Sequence, residues 1–508
     1  MIGSQKIISA LHANWWLNLA GLLLSFGASI VLVRAMPPGL YAEYGAVLAM
    51  IGVSTLVFEA GANSGLTRYL AEAAQQQARG TFYRRMQRRR WLAAALCAAA
   101  LIIFGPMYAR HTEFERLTAQ PWLFATIAAI VTATLVRLLA HYGLIALFET
   151  RTALLLQQGF QIARSAMLAG IALAGGSLMH LVAGLFALAA IEAILVHRRL
   201  WRIIGGERAP VAAGFVNRAQ GFGLLTIFDK ACAMLGGGTV MLLLLAPNHP
   251  ATTIAFLTLA IDLVGKVTSL TVMPMGNLVA PYLSQTSDDP AAQALAIGRV
   301  VKISSLLYCF SIGAALLVLP WFVPTIYGGG YAAADWISML LLLPTAFENW
   351  IRGSCSPALL RNGRYRDLVK VNVLQAVGTL ATLALVWRQP VETVLIAVGS
   401  VRCAVAALNL VLLRMRRLVP ERTYRVPLQG FAIALAGCAA AYLAGSLLRL
   451  PGIALAAAQL LLFGALFYLG LRALIFRDED MLHLAHRIVG TRLKFFTRLL
   501  PAQTLRNA

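Results

Sequence analysis

Apolar runs close to the length of a bilayer crossing recur from one end of this chain to the other. Leu17–Val33, Trp91–Phe104, Leu224–Ala246 and Ile453–Leu471 are four of them. A helix needs about 20 predominantly apolar residues to cross the hydrocarbon core. Strict apolar–polar alternation, the mark of a lipid-facing barrel strand, is absent. Only 12% of the residues are Asp, Glu, Lys or Arg, about half of the roughly 25% found in soluble domains. These features define an all-α polytopic membrane protein.

Fourteen spans are expected, near residues 12–33, 41–62, 91–109, 121–147, 152–174, 178–197, 219–245, 251–283, 303–326, 333–357, 371–387, 391–413, 428–448 and 453–471. Of the 43 Lys and Arg, 32 then lie on the side of the termini, five on the other side and six within spans. The loops alternate faithfully: "RGTFYRRMQRRR", "HRRLWRIIGGER", "RNGRYR" and "RMRRLVPERTYR" share one face. The positive-inside rule places that face, with both termini, in the cytoplasm. The net charge of +23 therefore reports topology and some affinity for anionic headgroups, and nucleic acid is not an expected partner. The opening "MIGSQKIISALHANWW" leads straight into the first span without a small-residue cleavage site. No connection is long enough to form a soluble domain. The segment "DEDMLHLAHRIVGTRLKFFTRLL" has an apolar face flanked by bases, which suits either an interfacial helix or one docked on the cytoplasmic loops. The six cysteines lie in or beside apolar segments with no metal-ligand spacing, so neither a disulfide framework nor a metal is expected.

An internal repeat is visible at an offset of 213. "IGVSTLVFEAGANSGLTRYL" (51–70) lies over "VGKVTSLTVMPMGNLVAPYL" (264–283), with Gly52 over Gly265, Thr55 over Thr268, and Tyr69-Leu70 over Tyr282-Leu283. "ALF" at 146–148 and "ALL" at 358–360 stand at offset 212. The expected organisation is two six-helix bundles, 1–205 and 206–418, related by an axis along the membrane normal. An additional pair of spans (419–475) and a cytoplasmic tail (476–508) follow.

Charges at membrane depth cost at least about 2.5–3.5 kcal/mol each on insertion scales, so they face a cavity or a partner. The candidates are Arg137 and His141 in span 4, Arg164 in span 5 and Glu192 in span 6. Asp229 and Lys230 follow in span 7, Asp262 and Lys266 in span 8, Glu348 and Arg352 in span 10, and Arg402 in span 12. Asp262/Lys266 and Glu348/Arg352 are four apart, on one helical face and within pairing reach. Such pairs can simply neutralise each other and hold helices together. As a set, however, six bases face four acids, and a cationic surplus fits an anionic cargo. Helix breakers accompany the charges: "LGGGTV" (235–240) follows Lys230, Pro274 follows Lys266 and Pro344 precedes Glu348. Each can kink ordinary packing or serve as a hinge. "GANSG" (61–65) is a GxxxG that marks close helix packing.

No P-loop is present, which argues against direct ATP drive, and no cofactor is expected. His111, His180 and His249 are isolated. The stretch "SIVLVRAMPPGLYAEYGAVLAMIGVSTLVFEAGANSGLTRYLAE" places an arginine at the end of span 1, a short Pro-Gly turn, "EYG", and a Gly-containing end of span 2 leading to "RYLAE". With "PYLSQ" closing span 8, "LVLPWFVPTIYGGGYAAA" at spans 9–10 and "SPALLRNGRYRDLVKVN" before span 11, it resembles the polysaccharide-unit flippases (Wzx type) of the multidrug/oligosaccharidyl-lipid/polysaccharide (MOP) exporter superfamily. The resemblance covers about residues 10–415.

It implies two six-helix bundles around a central cavity that opens alternately to each side of a bacterial inner membrane. The implied cargo is an undecaprenyl-diphosphate-linked oligosaccharide for exopolysaccharide or O-antigen synthesis, with H+ or Na+ as coupling ion and a polysaccharide polymerase and chain-length regulator as partners. Arg34, Arg137, Arg164, Lys230, Lys266, Arg352 and Arg402 would form the cationic lining, and Asp229, Asp262, Glu348 and Glu192 the coupling or ion-pair acids. The chain would be a transporter, not an enzyme. Two alternatives stand beside this. A cation-coupled multidrug exporter of the same superfamily would favour an acidic, aromatic cavity. A membrane-embedded glycan polymerase or ligase would need a sizeable outer loop.

Overall fold

A computed structural model describes the backbone of residues 4–481, apart from positions 60, 76, 148, 285–289, 363, 448–451, 477 and 479–480. Among the described residues all regular structure is helical. The helices are α1 (Ser4–Ala35), α2 (Pro38–Phe58), α3 (Ala62–Gln75), α4 (Arg79–Ala109), α5 (Glu115–Ala119), α6 (Leu123–Ala146), α7 (Thr150–Leu173), α8 (Leu178–Ile204) and α9 (Ala213–Leu235). They continue with α10 (Gly238–Leu245), α11 (Ala251–Ser284), α12 (Pro290–Phe322), α13 (Ala333–Arg361), α14 (Tyr365–Val386), α15 (Val391–Met415), α16 (Arg425–Leu447) and α17 (Gly452–Gly470). Each expected span coincides with one helix, or with the pair α9–α10 for span 7. Ten of the described helices are long and apolar enough to cross a membrane, so the chain is a multi-pass, all-helical membrane protein. Internal polar residues keep α7 and α13 out of that group. Of the expected tail 476–508, only Phe476, Asp478 and Met481 are among the described residues.

The structure moves several expected boundaries. Span 2 ends at Phe58 instead of running to residue 62, and a separate helix, α3, follows it. The arginine run "RRMQRRR", expected in a loop, forms the first turns of α4, and "HRRLWR" forms the last turns of α8. Hydropathy senses only the part of a helix that lipid covers, and arginine is a good helix former outside it. Gly236 and Gly237 do break span 7 into α9 and α10. Pro274 and Pro344, by contrast, sit inside continuous helices.

The chain divides into two compact units: residues 1–261 with 376–394, and residues 262–375 with 395–508. In the first unit α6 is the hub, packed on α2, α3, α4 and α8, while α7 packs on α1 and α8. Leu66, Leu70 and Ala73 line one stripe of α3 and enter a core with Phe82, Leu139, Leu200 and Phe215. That apolar stripe explains why the polar-looking "ANSGLTRYLAEAAQ" folds as a docked helix.

The break between α2 and α3 is built from two interactions. Gly61 has φ +65°, a conformation glycine adopts without strain. A Cβ there would stand 1.9 Å from the Gly223 carbonyl carbon, and one at Gly65 would stand 2.5 Å from the Ala219 oxygen. The GxxxG of α3 therefore meets a small-xxx-small pair on α9 backbone to backbone. The carbonyls freed by the break are covered by Arg90 of α4, only 2% exposed. Its Nη1 donates to Glu59 O at 2.7 Å and Phe58 O at 3.3 Å, and its Nη2 to Asn63 Oδ1 at 2.6 Å. Nearby, Glu207 latches the α8–α9 loop to the start of α4. It accepts from the Arg79 backbone N–H at 3.1 Å and from Arg79 Nε at 2.8 Å.

In the second unit α12 packs on α13, α16 and α17. Ser304 and Ser354 hydrogen-bond at 2.8 Å across α12 and α13, and Trp350 Nε1 donates to Val301 O at 3.4 Å. Phe463 of α17 fits over Gly313 of α12, where a Cβ would lie 2.3 Å from its ring. Phe310 of α12 stacks on the same ring, 5.6 Å between centroids. Lys302, buried in α12, reaches Asp478 beyond α17 at 2.6 Å. The expected extra pair of spans is thereby tied to span 9 by ring packing and by charge.

Two outcomes follow. Gly223→Leu should lower stability by about 3 kcal/mol, since overpacking against backbone has nowhere to relax. Gly221→Ala, which meets open space, should leave the unfolding temperature in detergent unchanged. The Arg79 hydrogen bond holds the Glu207 carboxyl below the usual carboxylate range. A depressed pKa contributes stability above the unfolded-state value and loses it as pH falls through the folded-state value. The advantage of wild type over Glu207→Gln should thus be constant near neutral pH and shrink below about pH 4 in paired melts.

Candidate functional site

Each unit contains one buried carboxylate gripped by two arginines. In the first unit the acid is Glu192 of α8, its side chain 3% exposed. Arg137 of α6 donates through Nη1 to Glu192 Oε2 at 2.7 Å, and Arg164 Nη2 of α7 stands 3.6 Å from the same oxygen. Three consecutive long helices thus converge on one carboxylate. His141, one turn beyond Arg137, is buried on the same helix.

In the second unit the acid is Glu348 of α13, in the middle of "FENWIRG". Arg352 Nε lies 2.8 Å from its Oε1, the i,i+4 pair the spacing predicts. Arg402 of α15 grips the other oxygen twice, through Nε at 2.8 Å and Nη2 at 2.6 Å. Gln375 of α14 bridges the cluster. Its Nε2 donates to Glu348 Oε1 at 2.9 Å, and its Oε1 accepts from Arg352 Nη2 at 2.8 Å. Again three consecutive helices meet at one acid, here with four donors on its two oxygens. Charge-assisted bonds of this kind are the strong ones. Each cluster carries two cations for one anion, a net +1 centred on a buried carboxylate.

The remaining candidates fall elsewhere. Lys266 Nζ lies 2.5 Å from Asp262 Oδ2 on α11, with the amine buried and the acid about one-third exposed. Lys230 stands 3.7 Å from Glu59 Oε1, next to the α2–α3 break. Arg34 is exposed near the end of α1. The side chain of Asp229 lies outside the described residues.

Among the buried polar residues that the sequence candidates omit are Gln375, Arg90 and Glu43. Gln375 is uncharged, although a lone amide in "VNVLQAVGTL" is a usable signal. Arg90 hides in an arginine run that reads as loop. Glu43, in "EYG", is buried on α2 and accepts from the Arg116 backbone N–H at 3.2 Å. It is a further buried acid, tied to the α5 connection.

No protein-family model and no curated protein matches this sequence. Solved structures do. The lipid II flippase MurJ in its inward closed conformation superposes with a TM-score of 0.72 at 11% identity, over 92% of this chain and 99% of that one. An inward-facing multidrug resistance MATE family transporter of the MOP superfamily gives 0.59 at 13% identity, over 78% and 94%. The chain therefore has the fold of MOP-superfamily transporters.

Gln375→Leu should lower stability by about 2 kcal/mol, because it strips hydrogen bonds from two charged groups at once. Val377→Ala, on the exposed side of α14, should not. Parallel melts of the purified variants check both.

Proposed function

We propose that this protein is a flippase that carries an undecaprenyl-diphosphate-linked oligosaccharide unit from the cytoplasmic to the periplasmic leaflet of a bacterial inner membrane by alternating access. The units would feed exopolysaccharide or O-antigen synthesis, alongside a polymerase and a chain-length regulator. The observation that carries this reading is the ratio in the two clusters: Arg137 and Arg164 on Glu192, Arg352 and Arg402 on Glu348. A surplus guanidinium in a poorly solvated setting recognises phosphate in forked, charge-assisted geometry. An organic-cation exporter would favour the opposite sign.

Energetics agree with a lipid-linked anion. Moving negative charge outward across an inside-negative membrane gains roughly 2.3 kcal/mol per charge per 100 mV. The protein then has to shield only the sugars and the diphosphate while the prenyl chain stays in lipid. Where coupling is chemical, Asp229, Asp262 or Glu348 would take a proton or Na+ once its basic partner engages phosphate. The likeness in fold to a lipid II flippase supports this class of cargo, and the likeness to a drug transporter supports the exporter as the competing reading.

Deleting the gene should strand lipid-linked saccharide on the cytoplasmic face, measured by leaflet-specific labelling. Wild type should restore export, and Arg352→Ala, at equal membrane levels, should not. Saccharide that reaches the periplasm without the protein, together with a change confined to drug sensitivity, would favour the exporter.

A further inference from the structure

We propose that the two arginines of each cluster do different work: Arg402 and Arg137 neutralise the buried carboxylate, whereas Arg352 and Arg164 take the phosphate of an anionic lipid, with Gln375 positioning Arg352. This rests on the flippase reading for its ligand class, a prenyl diphosphate. The division of labour itself comes from the geometry.

Arg402 has a side chain only 6% exposed and spends both Nε and Nη2 on Glu348 Oε2. A ligand could reach it only by stripping the acid. Arg352 is 21% exposed and uses Nε on Glu348 and Nη2 on Gln375. Among the described residues its Nη1 has no partner, so one amino group remains for an incoming oxygen. Gln375 is bonded to both the acid and Arg352, and this fixes the plane of the guanidinium.

The first cluster repeats the asymmetry. Arg137 makes a 2.7 Å hydrogen bond to Glu192 and is 18% exposed. Arg164 stands 3.6 Å away, beyond hydrogen-bond length, and is 37% exposed. Arg164 is thus the more weakly held of the two partners of Glu192. In each cluster, then, one arginine keeps the acid paired at all times. The other can exchange its carboxylate for phosphate without leaving a bare charge behind.

Removing a neutralising arginine should damage the fold through an unpaired buried carboxylate, and Glu→Gln should repair it. Removing a ligand arginine should disturb the fold less and cost affinity, and Glu→Gln should not restore the affinity. The test uses purified full-length protein in detergent, with farnesyl diphosphate as the probe. Melting temperature and probe affinity are read together. Variants of the second cluster are made on an Arg164→Ala background, so that only that cluster titrates.

Adding R352A should lower the melt less than R402Q does and weaken binding about tenfold or more, with no recovery of binding on adding E348Q. Adding R402Q should lower the melt, and R402Q with E348Q should recover both the melt and the binding. Q375L should weaken binding with a smaller effect than R352A. The first cluster is tested reciprocally on an Arg352→Ala background with R137Q and E192Q. Recovery of R352A binding by E348Q, or loss of binding in R402Q/E348Q despite a normal melt, would overturn the assignment. Absence of probe binding in the wild type would overturn its ligand half, while leaflet labelling judges the flippase reading independently.

Discussion

A carboxylate cannot remain charged at membrane depth unless cations compensate it, and in this protein that requirement organises both units. Glu192 draws together α6, α7 and α8, and Glu348 draws together α13, α14 and α15. Apolar packing alone gives helices in lipid little reason to prefer one rotation over another, because the tails are as apolar as the side chains. A buried acid that must find specific donors supplies that reason. Breaking such a group costs about 3–5 kcal/mol, more than most single apolar contacts in a membrane bundle. The clusters act as registers for three-helix groups whatever further chemistry they perform.

Much of this was legible in the sequence, and what was missed has a physical explanation. Spans are visible because each must present about 20 apolar residues to lipid. Helix ends beyond the lipid are not, which is why "RRMQRRR" reads as loop while Arg90 is in fact buried against the carbonyls of Phe58 and Glu59. No local pattern announces that partnership, since the broken turn and the arginine that covers it are some 30 residues apart. The glycines did carry a signal. "GANSG" marked close packing, and its partner pair on α9, Ala219 and Gly223, has the same spacing.

The site was legible through the rarity of its charges. Arg137, Arg164, Glu192, Glu348, Arg352 and Arg402 all stand out in apolar surroundings, and the i,i+4 spacing predicted the Arg352–Glu348 pair. The partners supplied by other helices, Arg402 for Glu348 and Arg137 for Glu192, are set by tertiary packing, which spacing along one helix cannot reveal. Shifted by the repeat offset of 213, Arg137, Arg164 and Glu192 fall within three residues of Arg352, Gln375 and Arg402. The acid, however, stands on the third helix of one group and the first of the other, so a search for matched residues would overlook the clusters.

That exchange of position says something about what the clusters must preserve. Between the two groups the acid moves, a glutamine stands in for one arginine, and the connectivity changes. The composition of one carboxylate and two guanidiniums is retained in both. A purely structural role would be served as well by a one-to-one pair, which is cheaper to bury, or by apolar residues of similar volume, which often do better still. Under the proposed function, the surplus cation in each group is balanced by an arriving anion. A net +1 at a poorly hydrated depth is unfavourable when empty and less so when a phosphate oxygen completes it. Under that proposal, the stability of the helix groups and the affinity for a lipid-borne anion would be two consequences of the same surplus charge.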